Sequence, residues 1–185
     1  KNKLLLRLDN LFLTDTYQQA SKLIKPERQH QILIVKSDPP GSFLKVEVMA
    51  QLYRSSHCFL FPSKGEGWGL PLIEAISCGI PYIATNYSGH SEFLRYCNQS
   101  YSDVKYTKEL IEDQFFLRYQ QFDKGKVPSW AKPDHIDLSK KMICIIENWR
   151  DIKKQALLNS EIIHQKFSWR ASTENLLNLI IKKFS

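Results

Sequence analysis

The chain has 185 residues, of which 43% are hydrophobic, and a formal net charge of +7. This length and composition predict one globular domain and exclude an intrinsically disordered chain. No apolar run approaches the roughly 18 residues of a membrane-spanning helix. The positive charge suits phosphorylated ligands or an anionic membrane surface. Aromatic residues do not alternate with the basic ones, so nucleic acid is not an expected partner.

The four cysteines lack the spacing of metal ligands, and we expect no metal site. Cys58 and Cys78 fall in apolar segments, where we predict that they are small core residues in a reducing cytosol.

The first half of the chain alternates predicted strands and helices. Strands are predicted over 4–8, 32–35, 58–61 and 81–85, and helices over 14–25, capped by Thr14 or Asp15, and about 43–55, after a turn at 39–41. This alternation predicts an α/β fold with a Rossmann-like parallel sheet flanked by helices. Ligands bind such sheets at the carboxyl ends of the strands, where the loop over 62–70 is expected to lie.

That loop is rich in glycine and leads into a predicted helix. Gly65, Gly67 and Gly69 leave little side-chain bulk, and Pro71 suits the first turn of a helix. Gly79 then ends this helix. Glycines allow close approach of backbone N–H groups, and a helix N-terminus adds unpaired donors and partial positive charge. The loop therefore predicts a phosphate site.

Two carboxylates frame the predicted phosphate site. Glu66 lies in the loop, and Glu74 lies one turn into the helix, where its side chain leans back toward the loop. Because phosphate repels carboxylates, we interpret them as acceptors for sugar hydroxyls. Solvent-exposed surface carboxylates are the alternative.

The rest of the chain divides into three predicted segments. A loop with a short helix is predicted over 86–95, and a polar helical and loop excursion over 96–135, with one helix over about 107–122 and a closing loop at 130–134. Helices with apolar stripes follow over 136–185. We expect the stripes to pack in the core, with a basic amphipathic helix on an anionic membrane as the alternative.

The stretch Glu66-Gly-Trp-Gly-Leu-Pro-Leu-Ile-Glu74 resembles the E-x7-E signature of retaining GT-B glycosyltransferases. The similarity is to the family-4-like group that includes sucrose synthases, bacterial mannosyltransferases and glycogen synthases of the bacterial type. Flanking residues also agree with this family, namely Leu52-Tyr53, Pro62-Ser63, Thr85, Ser88-Gly89, Glu92 and Phe167-Ser168-Trp169.

The resemblance implies roles for residues around the loop. Glu74 would bind the ribose of the donor nucleotide, and Glu66 would contact the donor sugar near its reacting carbon as the catalytic residue. The donor-binding set is completed by Ser63 and by Gly67, Trp68, Gly69 and Leu70, whose backbone amides would hold the sugar and diphosphate. Further candidates are Lys64, Ser88, Gly89, His90 and Trp130. For Lys64, His90 and Trp130, surface or packing roles remain open.

The resemblance also implies an incomplete enzyme. Residues 1–185 would form a single nucleotide-sugar-binding domain, one half of a GT-B fold, without the N-terminal acceptor domain. Its substrate would be a UDP or GDP sugar, with no cofactor or metal required, and its acceptor a glycan or lipid in polysaccharide or glycolipid biosynthesis. A cytoplasmic location is expected, with peripheral contact at the inner face of a membrane left open.

The chain departs from the family in two further respects. The final helix, over 169–184, would lack its partner and expose an apolar patch. The diphosphate-binding Arg and Lys of the family have no clear counterpart in this chain. The alternative function is therefore a non-catalytic GT-B-like interaction module that pairs with a separate subunit.

Overall fold

A computed structural model of the chain describes residues 4–7, 22, 24–35, 45–98, 101–112 and 128–184. The chain divides into two compact units, Lys1–Met49 and Ala50–Ser185. The prediction that 1–185 forms one nucleotide-sugar-binding domain stays a prediction.

The first unit contains a pair of parallel strands. Strand β1 spans Leu4–Arg7 and β2 spans Ile32–Val35, with Leu4 opposite Ile32. A 3₁₀ helix, Pro26–Gln31, precedes β2. Both strands agree with the sequence prediction. Most of the helix predicted over 14–25, and the turn at 39–41, lie outside the described residues.

The second unit contains a parallel sheet in the order β3-β4-β5. Its elements run β3 (Phe59–Phe61), α2 (Leu70–Ser77), β4 (Tyr82–Thr85), α3 (Ser91–Leu94) and β5 (Asp103–Val104), and helix α1 (Val46–Arg54) precedes them. The predicted α/β fold with a parallel sheet flanked by helices is confirmed.

Strand β4 lies at the centre of this sheet and is buried along its whole length. Its side chains alternate between two hydrophobic clusters, as the period of a strand requires. Tyr82 and Ala84 pack with Leu72 of α2, and Ile83 packs in the other cluster with Val104. Both faces of the sheet are therefore covered.

Two glycines delimit helix α2. Gly69 precedes it with a left-handed φ of 81°, and Gly79 follows it with a φ of 69°. Pro71 lies in the first turn, where its missing N–H has no intrahelical partner. The predicted start and end of this helix are confirmed.

The segment after β5 is where the sequence prediction is wrong. Residues Tyr106–Leu110 form strand β6, which pairs antiparallel with β7, Ser129–Pro133. The sequence predicts a helix from about 107 and a loop at 130–134. The aromatic and β-branched residues Tyr106, Thr107 and Trp130 favour strands, and pairing across the chain decided the outcome. The remainder of the expected helix lies outside the described residues.

Three helices form the C-terminal part, as predicted. They are α4 (His135–Glu147), α5 (Trp149–Phe167) and α6 (Trp169–Phe184). Helix α6 has no buried residue. Its large apolar side chains are exposed, including Trp169 at 90% and Phe184 at 80%. The exposed patch expected from the family resemblance is confirmed, and the expectation that the apolar stripe of this helix packs in the core is wrong. None of the helices in the described part of the chain combines the length and apolar character that crossing a membrane requires.

Cys58 and Cys78 are partly buried free cysteines. Burial raises the pKa of the Cys58 thiol to about 12. The thiol of Cys58 is therefore protonated at neutral pH, consistent with a packing role.

Candidate ligand site at the glycine loop

The glycine loop, residues 62–69, follows the carboxyl end of β3 and contacts the turn that follows the neighbouring strand β4. The N–H of Glu66 donates a hydrogen bond to Ser88 Oγ at 2.8 Å, and the N–H of Gly89 donates to the Glu66 carbonyl oxygen at 3.1 Å. Ser88 Oγ also donates to that carbonyl oxygen, at 3.1 Å. The backbone of Glu66 is therefore fixed by the Ser88–Gly89 turn.

The loop and the turn approach each other closely at one point. A Cβ atom on Gly89 would lie 1.9 Å from the carbonyl oxygen of Gly67, so only glycine fits there. Ser88 itself adopts a left-handed φ of 65°. A Cβ atom on Gly67, by contrast, would meet nothing within 4 Å. The Gly67 backbone is therefore open on that side to an approaching group.

His90 is fully buried against the start of α2. A Cβ atom on Gly69 would lie 3.0 Å from His90 Cβ. The His90 ring contacts Phe61 edge-on at 5.7 Å, and its Nε2 hydrogen-bonds the Thr85 carbonyl oxygen. These contacts favour the packing role that the sequence left open for His90.

Glu74 lies on an exposed face of α2, and its carboxylate is oriented by a tyrosine. Tyr53 Oη of helix α1 donates a hydrogen bond to Glu74 Oε2 at 3.0 Å. The Tyr53 ring is buried and packs edge-on against Phe59, with centroids 5.6 Å apart. A rigid donor therefore restricts the Glu74 side chain. In the sequence Tyr53 is marked only as a residue that flanks the signature, and nothing in the pattern indicates its contact with Glu74.

The other loop side chains have different surroundings. Glu66 is half-buried, and no described residue forms a hydrogen bond or ion pair with its carboxylate. Trp68 turns toward the protein, with its ring 5.6 Å from Phe93 and 6.1 Å from Phe167. Leu70 is exposed, and the Ser63 hydroxyl is buried without a partner among the described residues.

Two candidates that are far apart in sequence, Lys64 and Trp130, lie together. The Lys64 ammonium is over the Trp130 ring, 4.5 Å from its centroid, and is paired with the Glu109 carboxylate. Trp130 Nε1 donates to Glu109 Oε1 at 2.9 Å. An open cavity of about 280 Å³ is lined by Lys64, Glu109, Leu110, Glu112 and Trp130. Glu109 is not among the candidates that the sequence predicts.

The fold and the loop define a class of site. A parallel α/β sheet carries, at the carboxyl ends of its strands, a glycine loop, a helix N-terminus and a carboxylate oriented by a buried tyrosine. Backbone N–H groups and the helix N-terminus favour an anion, and the carboxylate favours a hydroxyl donor. Groups of three or more potential metal-ligating side chains do not occur among the described residues.

Comparisons with known proteins match the same region. The family model described as "Glycosyl transferases group 1" matches residues 42–114. The chain is 41% identical over 46 residues to O-antigen chain mannosyltransferase B of Escherichia coli, covering 25% of this chain and 12% of that protein. It is 29% identical over 133 residues to a sucrose synthase of Solanum tuberosum, covering 70% of this chain and 14% of that protein.

A third relative is a D-inositol 3-phosphate glycosyltransferase of Streptomyces bingchenggensis (strain BCW-1), 34% identical over 77 residues, with 38% of this chain and 16% of that protein covered. The chain thus spans 12–16% of the lengths of these three relatives. The matched family and these three relatives are all described by names of sugar-transferring or sugar-synthesising enzymes, and the family match covers the glycine loop and helix α2.

Proposed function

We propose that the chain supplies the donor-binding half of a retaining glycosyltransferase, which transfers a sugar from a nucleotide-diphosphate sugar to an acceptor. The observation that carries this proposal is the glycine loop, closed against the Ser88–Gly89 turn, leading into α2 with Glu74 oriented by Tyr53. The family match over residues 42–114 covers all of these groups.

Each group in the loop has a role in this proposal. The carboxylate of Glu74 accepts hydrogen bonds from the ribose hydroxyls, and Tyr53 limits its rotation. Backbone amides from Gly67 to Leu70 and the N-terminus of α2 stabilise the diphosphate and the sugar. The open side of Gly67 allows the donor to approach the backbone.

Glu66 is the residue proposed to contact the donor sugar near its reacting carbon. In this mechanism the leaving diphosphate assists deprotonation of the acceptor, so the protein contributes positioning and charge stabilisation. The acceptor would be bound by a separate GT-B half. The names of the relatives, a mannosyltransferase and sucrose synthases, support a hexosyl donor.

Isothermal titration calorimetry with UDP-glucose, GDP-mannose and ADP-glucose tests this proposal. We expect binding of one of these donors to the chain. Glu74→Gln is expected to weaken binding by about tenfold to a hundredfold, because hydrogen bonds to a charged group are lost. Tyr53→Phe is expected to weaken binding less, since it removes only the group that orients Glu74.

Glu161→Gln is the matched control, because Glu161 is an exposed glutamate on helix α5. It should bind the donor as the parent does. The proposal fails if none of the three donors binds, or if Glu74→Gln and Glu161→Gln have equal affinity. Failure of all three donors would favour the non-catalytic module as the function.

A further inference from the structure

The start of the glycine loop is attached to the antiparallel pair β6–β7, here called the ribbon (Tyr106–Leu110 with Ser129–Pro133). The N–H of Ala131 donates a hydrogen bond to the Lys64 carbonyl oxygen at 2.8 Å. Tyr87, in the turn next to the loop, donates from its hydroxyl to the Ser129 carbonyl oxygen at 2.9 Å. A backbone hydrogen bond therefore joins the ribbon to the loop, and a side-chain hydrogen bond joins the ribbon to the turn.

The side chain of Lys64 adds a third attachment. Its ammonium pairs with Glu109 of β6 and lies over the ring of Trp130 of β7. Glu109 and Trp130 are directly opposite each other in the ribbon. The Trp130 indole N–H donates to the same carboxylate oxygen that Lys64 contacts, so the carboxylate holds both groups.

The charges of this cluster favour a Lys64 ammonium that stays bound to the ribbon. Hydrogen bonding and attraction from Lys64 hold the pKa of the Glu109 carboxyl below its ordinary value, with smaller contributions from Trp130 and Lys132. Lys132 lies 3.8 Å from the other carboxylate oxygen. If Lys64 turned toward a phosphate, Glu109 would lose its nearest cation, and the Trp130 ring would lose a cation–π contact.

We propose that Glu109 is a positioning residue, which fixes the start of the glycine loop through Lys64, and that Lys64 is the loop's anchor to the ribbon and not a ligand of the donor phosphates. This inference rests on the proposed function, in which the loop amides bind the donor. Because the loop is already fixed at its start, donor binding does not have to order its amides, and the entropy cost of that ordering is avoided.

The donor affinity of a Glu109→Gln variant distinguishes the two possible roles of Lys64, because the two roles predict changes in opposite directions. With Lys64 as the anchor, Glu109→Gln weakens donor binding by about fivefold, the size expected when a partly exposed ion pair and its orienting contacts are lost. With Lys64 as a phosphate ligand, the same substitution frees the ammonium and tightens donor binding. Tighter binding of the Glu109→Gln variant would overturn the inference.

A double-mutant cycle tests whether the two residues act as one unit. Lys64→Gln should weaken binding as Glu109→Gln does, and the double variant should be no weaker than either single variant. Lys64→Arg keeps a cation for Glu109 and Trp130 and should retain parental affinity. Additive losses in the double variant would contradict the anchor.

Hydrogen exchange of the loop amides gives a readout that needs no donor. Glu109→Gln should accelerate exchange at Glu66–Gly69 severalfold, whereas Glu112→Gln, which lines the same cavity, should leave it unchanged. If the parent binds no donor but exchange accelerates, the proposed function fails while the anchor stands. If exchange in Glu109→Gln equals that of the parent, the anchor itself is refuted.

Discussion

Gly67 and Gly89 contact each other, yet a side chain at each would meet very different surroundings. A Cβ atom on Gly89 would overlap the Gly67 carbonyl oxygen at 1.9 Å, and this neighbour is backbone that cannot rotate away. A Cβ atom on Gly67 would meet nothing within 4 Å. Gly89 is therefore required by the fold, and Gly67 is required only if a ligand approaches it.

Alanine substitutions at these two glycines should separate folding from ligand binding. Gly89→Ala is expected to destabilise the chain by at least about 1–3 kcal/mol, the usual cost of overpacking, because the loop must move away from the turn. Gly67→Ala should leave the melting temperature within error of the parent and weaken donor binding. Thermal unfolding and calorimetry measure the two effects.

Opposite results at either glycine would contradict this interpretation. A stable Gly89→Ala variant would show that the loop and the turn are not in contact in solution. A Gly67→Ala variant with parental donor affinity would place the donor elsewhere. In both variants, circular dichroism confirms that the secondary structure is retained before binding is compared.

The sequence predicts candidate site residues only where the signal is local. Glu66, Glu74 and the glycines lie within one short stretch, so their spacing carries the pattern. The contacts that orient the site are not local: Tyr53 is 21 residues from Glu74, and Lys64 is 45 residues from Glu109. A tyrosine that flanks the signature and a glutamate in a polar segment carry no sequence signal of such partners.

At the scale of elements, prediction succeeded where start and end signals lie inside the segment. Helix α2 has Pro71 in its first turn and Gly79 just after its end, and β4 is a short apolar run between turns. Strand β6 has no such signals. It is a strand because it pairs with β7, and that partner begins at Ser129, well beyond the segment itself.

Helix α4 carries a pH-dependent cap at its N-terminus. The Asp134 carboxylate accepts hydrogen bonds from the N–H groups of Ile136 at 2.8 Å and Asp137 at 3.1 Å. Both hydrogen bonds hold the pKa of the Asp134 carboxyl below its ordinary value, and the bond from the Asp137 N–H has the larger effect. Because the native pKa is lowered, the cap's contribution to stability is complete above the ordinary carboxyl pKa, about 3.9, and is lost as the pH falls below it.

Asp134→Asn isolates this titration, since asparagine caps helices as well as aspartate does but carries no proton to gain. The parent and the variant should have similar melting temperatures at pH 7. Below about pH 4 the melting temperature of the parent should fall further than that of the variant. Melting curves of the two proteins that stay parallel from pH 7 to pH 3 would show that Asp134 does not cap α4.

At the scale of the whole molecule, helix α6 is the element whose apolar face the described residues leave uncovered. The apolar periodicity of its sequence is typical of a helix that packs in a core. The expectation that this stripe lacks a covering domain comes from the family resemblance and not from the periodicity. The exposed residues are Trp169, Leu176, Leu177, Leu179, Ile180, Ile181 and Phe184. Periodicity predicts that a face will be buried but does not say which molecule covers it.

Substitutions on this face should therefore change association and not folding. Leu177 and Ile180 are 52% and 45% exposed, so replacing both with glutamine, a good helix former, should leave the melting temperature nearly unchanged and reduce self-association measured by light scattering. Ile163→Ala is the matched control on α5, where the side chain is 2% exposed and the expected loss is about 2–5 kcal/mol. A large fall in the melting temperature of the double glutamine variant would mean that the face is buried within the chain in solution, because only a covered side chain contributes stability that its removal can take away.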